Sequence, residues 1–158
     1  MPTPIYMSIN DNSVKGSVEI VGREGTVEIL EVIHNLHIPT DLHSGKLTGV
    51  RVHSAFTVRA AFDAAAPYIY RGCTEGKTYD KVKFSFYEID DLGAEVEYFT
   101  ILLERVKVAS IKVDVPNVKD TRKEHYPHML EYSFVYGKIT WTFTKGTLEH
   151  TDDWIAAR

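Results

Sequence analysis

The segment from Val52 to Gly76 constrains the fold most, because a strand pattern passes directly into a helix pattern within it. Apolar and polar residues alternate over its first half, which is typical of a strand with one buried face. The inward-facing set is Phe56, Val58, Ala60 and Phe62. Asp63 then stands where a helix N-cap is favoured, and Pro67 suits a first helical turn. Gly72 or Gly76 can end the helix, so we predict one α-helix around residues 64–72.

Most of the remaining chain alternates in the same way and predicts strands. The predicted strand segments are Ile5–Asn10, Val18–Ile20, Thr26–Ile38, Lys81–Tyr87, Glu95–Glu104, Val106–Val115, Leu130–Tyr136 and Lys138–Thr144. Turn-forming residues at Asp90–Gly93 predict one hairpin, and Gly137 predicts a second one between the last two segments. The fold class is therefore mainly β. A single helix would cover an end or a flank of a barrel or sandwich, because the apolar face of a sheet must be buried.

Length and composition place limits on the function. The 158 residues predict a single domain over 1–158, and no apolar run approaches the roughly 18 residues of a membrane span. The N-terminal segment lacks the features of a secretory signal peptide, so the expected starting compartment is the cytoplasm. One cysteine, Cys73, excludes an internal disulfide. A net charge of −4 gives no reason to expect nucleic acid or an anionic membrane as a partner.

Two segments suggest contacts beyond one chain. Thr26–Ile38 is apolar on both faces, so it needs cover on both sides, and a neighbouring subunit could supply one of them. The segment Pro39–Gly49 is a long loop that carries two isolated leucines, Leu42 and Leu47. Long loops of this kind are often functional, and exposed apolar residues in them suggest a contact surface.

No catalytic constellation is evident. His125 and His128 lie among carboxylates, but Pro127 between them argues against a shared helical face, and a zinc site needs three or four ligands. Cys73 belongs to no nucleophile signature, and the chain has no phosphate-binding or dinucleotide-binding glycine motif. We therefore predict no enzyme activity, no cofactor and no metal. A small β-barrel metal-dependent hydrolase with His125 and His128 at its site, and a monomeric binding module, remain as alternatives.

Several motifs together resemble one known family. They are the start MPTPIYMSI, the loop HSGKLTGVRVH, the passage FDAAAPYIY followed by Gly76, the segment KITWTF and the ending DDW. In this order they resemble the haemolysin-coregulated protein (Hcp) family, the tube proteins of bacterial type VI secretion systems. The resemblance runs nearly from end to end of the chain.

The resemblance implies a two-sheet β-barrel flanked by a helix, similar to that of phage tail-tube proteins. It also implies a homohexameric ring, stacking of rings into a tube, and a central channel that carries effector proteins. Sheath and spike proteins of the apparatus would be further partners, and export to the medium or a target cell would need no signal peptide. Neither nucleic-acid binding nor membrane insertion is implied. A tail-tube protein of another contractile injection system or of a prophage is the alternative within this architecture.

The resemblance also implies positions for two contact surfaces. The loop Pro39–Val52 would reach the next ring. Its candidate ring-stacking residues are Leu42, His43, Leu47, Thr48 and Val50. The segment Thr26–Ile38 would contribute to the subunit interface or the channel wall. Its candidate residues are Ile29, Glu31, Ile33 and His34.

Overall fold

The structure is a computed structural model that describes residues 3–10 and 13–154. The ends of the predicted domain, 1 and 158, and the first two residues of the motif MPTPIYMSI lie outside the described residues. The strands are β1 (Ile5–Ile9), β2 (Val27–Ile33), β3 (Leu36–His37), β4 (Val52–His53), β5 (Phe56–Ala61), β6 (Thr78–Ile89), β7 (Glu95–Asp114), β8 (Met129–Val135), β9 (Lys138–Phe143) and β10 (Leu148–Asp153). A helix α1 (Ala66–Glu75) and a short 3₁₀ helix (Thr121–Lys123) complete the described elements.

The strands form a closed barrel with two extensions. The antiparallel order is β10-β9-β7-β6-β1-β2-β5-β8, and β8 pairs back onto β7, so six strands close the barrel. Strands β9 and β10 extend the sheet beyond β7, and β3 and β4 form a separate two-stranded ribbon. The prediction of a mainly β barrel with one flanking helix is confirmed. No helix in the described part of the chain has the length and apolar character needed to cross a membrane.

Strand β7 joins the two parts of the barrel. It is 20 residues long, and its first half pairs with β6 and β9 whereas its second half pairs with β8. The predicted hairpin across Gly137 is therefore wrong: β8 and β9 do not pair with each other but with different halves of β7. The chain crosses between the two ladders at Gly137, whose N–H donates to the Glu104 carbonyl oxygen.

The barrel interior holds the apolar core. The largest side chains without exposure include Phe56, Phe84, Tyr132 and Phe134, and the ring centroids of Phe56 and Phe84 lie 4.6 Å apart. These residues come from the inward positions of strands on opposite sides of the barrel, as their alternation predicts. Helix α1 adds the fully buried Ile69 to the same cluster.

Helix α1 begins two residues later than predicted and ends at Glu75 instead of residue 72. Asp63 is not the N-cap. That position is held by Ala65 without a side-chain hydrogen bond, and the Asp63 carboxylate accepts from the N–H groups of Ser17 and Ala65. Gly76 adopts φ 66° and ends the helix, which is a conformation that glycine adopts without strain.

A register shift explains much of the two-sided apolar pattern of Thr26–Ile38. In the β2–β5 ladder Ile29 pairs with Ala60 but Glu31 pairs with Arg59, so an irregularity lies between them. Val27 and Ile29 point into the core before this shift, and Val32 packs against it afterwards. The predicted strand is also interrupted between β2 and β3. No strand is found at Val18–Ile20, where the predicted strand is wrong.

Candidate functional surfaces

Four strands form an outward-facing wall on one side of the barrel. We define this wall as β2, β5, β8 and the second half of β7. Their registers align residues from all four strands in rows. One row is Glu31, Arg59, Glu131 and Lys112, and the next is Ile33, Thr57, Ser133 and Ser110. Because Val58 and Tyr132 point into the core, the alternating residues beside them face outward.

Arg59 connects the strands of the wall. Its guanidinium lies 3.4 Å from a Glu31 carboxylate oxygen and 3.0 Å from a Glu131 carboxylate oxygen, and it also bonds Asp114. The hydrogen bond to Asp114 is the main cause that raises the pKa of Arg59. Hydrogen bonds between charged groups are stronger than neutral ones, so this cluster fixes side chains on all four strands of the wall.

Both edges of the wall are open. Within the described part of the chain, residues Glu31–Ile33 of β2 pair with β5 alone, and residues 110–114 of β7 pair with β8 alone. An open strand edge presents backbone donors and acceptors to another chain. The two edges lie at opposite sides of the same wall. A second copy could therefore pair its β2 edge with the β7 edge of the first.

The loop between β3 and β4 protrudes from one end of the wall. Its backbone is held by its own hydrogen bonds, from Asp41 N–H to the Lys46 carbonyl oxygen and from Thr48 N–H to the Pro39 carbonyl oxygen. The apolar side chains nevertheless point outward. Leu42 is 94%, Leu47 65% and Val50 75% exposed. Such a group of exposed apolar residues at a structured tip is typical of a contact surface.

An apolar groove lies at the opposite end of the wall. Strand β5 runs from the loop ribbon at Phe56 towards Phe62, and α1 begins shortly after it. The groove has a volume of about 540 Å³, and its lining includes Phe62, Pro67, Tyr70 and Val113. The loop and the groove are therefore separated by the length of a strand, about 16 to 20 Å.

A hydrogen-bonded network secures the stem of the loop to the rest of the barrel. Tyr136 Oη lies 2.7 Å from His34 Nε2 and 2.6 Å from His53 Nδ1. His53 Nε2 lies 2.8 Å from Asp152 Oδ2, and Arg51 donates two hydrogen bonds to the same carboxylate. The Trp154 ring stacks on His53 at a centroid distance of 5.0 Å. We call His34, Tyr136, His53, Asp152 and Arg51 the stem network.

The predicted contact residues occupy different environments. All five candidate residues of the loop are exposed, as are Glu31 and Ile33 on the wall. Ile29 is only 4% exposed and packs in the core, so its prediction as a surface contact is wrong. The register shift after Ile29 is the reason, because the sequence pattern alone placed it on one face with Ile33. His34 is half-buried in the stem network.

The two candidate metal-binding histidines do not form a ligand set. The His128 ring packs edge-on against Phe62 at 5.6 Å between centroids. Among the residues that the structure describes, no three His, Cys, Asp or Glu side chains are grouped closely enough to hold a metal ion. The arrangement around His125 and His128 therefore gives no support to the metal-dependent hydrolase.

The sequence pattern does not predict the stem network. Two of the motifs quoted above contain its members, since HSGKLTGVRVH ends at His53 and DDW begins with Asp152. Their separation of 99 positions gave no sign that they touch. The described surfaces thus define a β-barrel protein whose accessible features are a wall with open edges, a protruding loop and an apolar groove.

Comparison with known proteins gives the family. Residues 6–143 match the family described as "Type VI secretion system effector, Hcp". The "Major exported protein" of Pseudomonas aeruginosa is 32% identical over 167 aligned positions, which cover 98% of this chain and 96% of that protein. A solved variant of Hcp1 from the E. coli EAEC 042 pathovar has a TM-score of 0.83 and 36% identity, covering 98% of this chain and 99% of the other.

The secreted protein Hcp3 from Pseudomonas aeruginosa is a further structural relative, with a TM-score of 0.78 and 27% identity. That alignment covers 97% of this chain and 99% of Hcp3. The chain belongs to the Hcp family of type VI secretion proteins.

Proposed function

We propose that this chain is the tube subunit of a type VI secretion system. Six copies close into a ring, the rings stack into a tube, and effector proteins travel in the central channel. The sheath proteins surround the tube and the spike proteins cap it, and the tube itself is exported. Family membership supports the general role, and the two open edges of the wall are the observation that carries the ring.

A ring follows from pairing unlike edges. When the β2 edge of each copy joins the β7 edge of the next, the same two surfaces are buried at every contact, and a suitable rotation closes the assembly. The walls of all copies then form one continuous surface around a channel. Glu31 and Ile33 would face this channel together with the Arg59 cluster. The channel surface therefore offers charged, polar and apolar contacts to a cargo protein.

Stacking follows from the two unlike ends of the barrel. The exposed Leu42, Leu47 and Val50 of one ring would enter the apolar grooves at the opposite end of the next ring. Each ring presents loops at one end and grooves at the other. The tube would therefore be assembled head to tail, and His43 and Thr48 would lie beside the apolar contacts.

The ring is tested by the mass in solution and by negative-stain images of the same fraction. We expect a mass near six times 17.9 kDa and open ring views. A monomer at high protein concentration would contradict the tube function and favour a monomeric binding module.

Stacking is tested separately with Leu47→Asp. The added charge would have to be buried between rings, which is costly without a partner, so we expect intact rings and few tubes. Leu92→Asp is the matched control, because Leu92 is also an exposed leucine but lies in the turn between β6 and β7, away from the loop and the groove. Normal tubes from Leu47→Asp would contradict the assignment of the loop, and loss of rings as well as tubes would show that the loop acts within one ring.

A further inference from the structure

The stem network links residues from four separate segments of the chain. His34 follows β2, His53 belongs to β4 and Asp152 belongs to β10, while Tyr136 follows β8. The loop leaves the barrel between His34 and His53. The network is therefore in a position to hold both strands of the loop stem against the C-terminal strand.

The Asp152 carboxylate and the Tyr136 hydroxyl determine the direction of each hydrogen bond in the stem network. The pKa of Asp152 is lowered, mainly by its hydrogen bond from Arg51, so its carboxylate is ionised and accepts from His53 Nε2–H. Burial raises the pKa of the Tyr136 hydroxyl, which therefore keeps its single proton. With neutral histidines, Tyr136 O–H donates to His53 Nδ1, and His34 Nε2–H donates to Tyr136 Oη. Every member then has a partner.

One added proton leaves these hydrogen bonds intact. If His53 Nδ1 becomes protonated, it donates to Tyr136 Oη, and the tyrosine hydroxyl turns to donate to His34 Nε2. The neutral His34 then carries its single ring proton on Nδ1 instead of Nε2. The new positive charge lies beside the Asp152 carboxylate. A second added proton has no such solution, because both imidazolium rings then donate to Tyr136 and its own O–H loses its acceptor within the network.

The surrounding charges do not compensate for a second proton. The carboxylate of Asp152 is already paired with Arg51, and the ring centroids of His34 and His53 are only 6.3 Å apart. The neighbouring ion pairs, Arg105 with Asp153 and Lys138 with Glu104, are each neutral. Two charged imidazoles would therefore repel each other in a largely buried site, where the neighbouring aromatic rings of Phe56 and Trp154 carry no charge.

We propose that the stem network seats the loop on the barrel and accepts one added proton but not two, so that protonation of both His34 and His53 releases the stem. Only the expected consequence, loss of ring stacking in acid, rests on the proposed function.

Burial, with a smaller effect from His53, lowers the pKa of His34. The folded state thus binds fewer protons at His34 than the unfolded state, and the stability that this residue contributes falls as pH drops below its ordinary value near 6.5.

The release is measured by amide hydrogen exchange of residues 35–54 in the full chain, corrected for the intrinsic effect of pH. From pH 7.5 to pH 5.0 we expect protection of the stem amides to fall at least tenfold, with little change in the core strands. Asp152 does not account for this fall, because a lowered carboxyl pKa makes its contribution disappear only at more acidic pH. Unchanged protection at pH 5.0 would overturn the proposal.

His34→Gln separates protonation from packing, because a glutamine N–H can donate to Tyr136 but cannot be protonated. This variant should keep its stem protection at pH 5.0. His125→Gln is the matched control, because His125 is an exposed histidine outside both the network and the loop, and this variant should lose stem protection as the parent chain does. A His34→Gln chain that still loses stem protection in acid would contradict the role of His34. A Tyr136→Phe chain with full stem protection at pH 7.5 would contradict the role of the network.

Tube images at both pH values test the consequence. If the stem releases in acid and the parent tubes separate into rings while the His34→Gln tubes persist, both proposals stand. If the stem releases but no rings form at any pH, the tube function fails and the network assignment stands. Running the exchange in the Leu47→Asp background removes any protection that stacking itself provides.

Discussion

At the scale of single residues, Gly72 shows how closely α1 packs on the barrel. A Cβ added there would lie 2.2 Å from Tyr79 Oη and 2.8 Å from Tyr79 Cζ. The tyrosine cannot withdraw freely, because its hydroxyl donates to the Tyr68 carbonyl oxygen and its side chain is buried. The close approach therefore requires the absence of a side chain, although the backbone of Gly72 is helical and any residue could adopt it.

Gly72→Ala consequently tests packing against helix propensity. Alanine gains about 1 kcal/mol over glycine within a helix. Overpacking costs about 1 to 3 kcal/mol, and the displaced tyrosine hydrogen bond adds about 1 kcal/mol. We expect the free energy of unfolding to fall by about 1 to 3 kcal/mol, as measured by urea denaturation at a fixed protein concentration.

Thr74→Ala is the control for that measurement, since Thr74 is exposed in the same helix. It should leave the free energy of unfolding unchanged or slightly raised. Adding Tyr79→Phe to Gly72→Ala should recover part of the loss, because it removes the nearest atom. Stability of Gly72→Ala equal to that of the parent chain would show that the tyrosine moves aside at no cost.

At the scale of elements, the sequence pattern predicted strand positions better than strand partners. Alternation correctly placed Phe56, Val58 and Ala60 in the core, and the helix pattern located α1 within a few residues. It could not predict that β7 continues through Arg105, because a bend within one strand and a break between two strands leave the same pattern. The wrong hairpin between β8 and β9 follows from that ambiguity.

Register shifts limit the prediction of surfaces in the same way. Strand alternation reverses its face wherever an extra residue is inserted, so Ile29 was assigned to the surface with Ile33 although only Ile33 is exposed. The exposed leucines of the loop could be recognised, because their neighbours are polar over a long stretch. The stem network depends on contacts between distant segments, and a local pattern carries no information about such contacts.

Arg105 marks the bend of β7 and provides a test at this scale. It adopts φ 55°, a left-handed conformation that costs a residue with a side chain roughly 1 to 2 kcal/mol. The ladder to β9 ends at Glu104, and the ladder to β8 begins at Lys107. Arg105 therefore lies between the part of β7 that pairs with β9 and the part that pairs with β8, and its left-handed conformation changes the direction of the strand there.

We expect Arg105→Val to lower the free energy of unfolding by about 1 to 3 kcal/mol, because β-branched residues tolerate this conformation poorly. Arg105→Asn should cost less than about 1 kcal/mol, since asparagine tolerates a positive φ and the lost ion pair with Asp153 is largely exposed. Lys107→Val, at an exposed position of ordinary strand geometry, should be nearly neutral. Equal losses from the valine and asparagine variants at 105 would show that the ion pair matters and the backbone conformation does not.

At the scale of the whole molecule, the barrel separates its proposed contacts by direction. The wall edges lie at the sides of the barrel, where we propose the ring contacts, whereas the loop and the groove lie at its two ends. A change at the loop should therefore affect the length of tubes without affecting the mass of rings. The ring contacts and the stacking contacts can therefore be tested separately.

Salt should lengthen the tubes, because it screens the electrostatic repulsion between rings. Each chain carries a net charge of −4, so a ring of six carries about −24, and neighbouring rings repel one another. The Debye length falls from about 30 Å at 0.01 M salt to about 10 Å at 0.1 M, which screens this repulsion across the gap between stacked rings. The apolar contacts of Leu42 and Leu47 are not weakened by such screening. We expect the mean tube length in negative-stain images to rise over this range while the ring mass stays constant.

Leu47→Asp should respond less, because it lacks the apolar contact that screening would allow to form. Tubes that shorten as salt rises would instead indicate that ion pairs between oppositely charged ring ends hold the stack together.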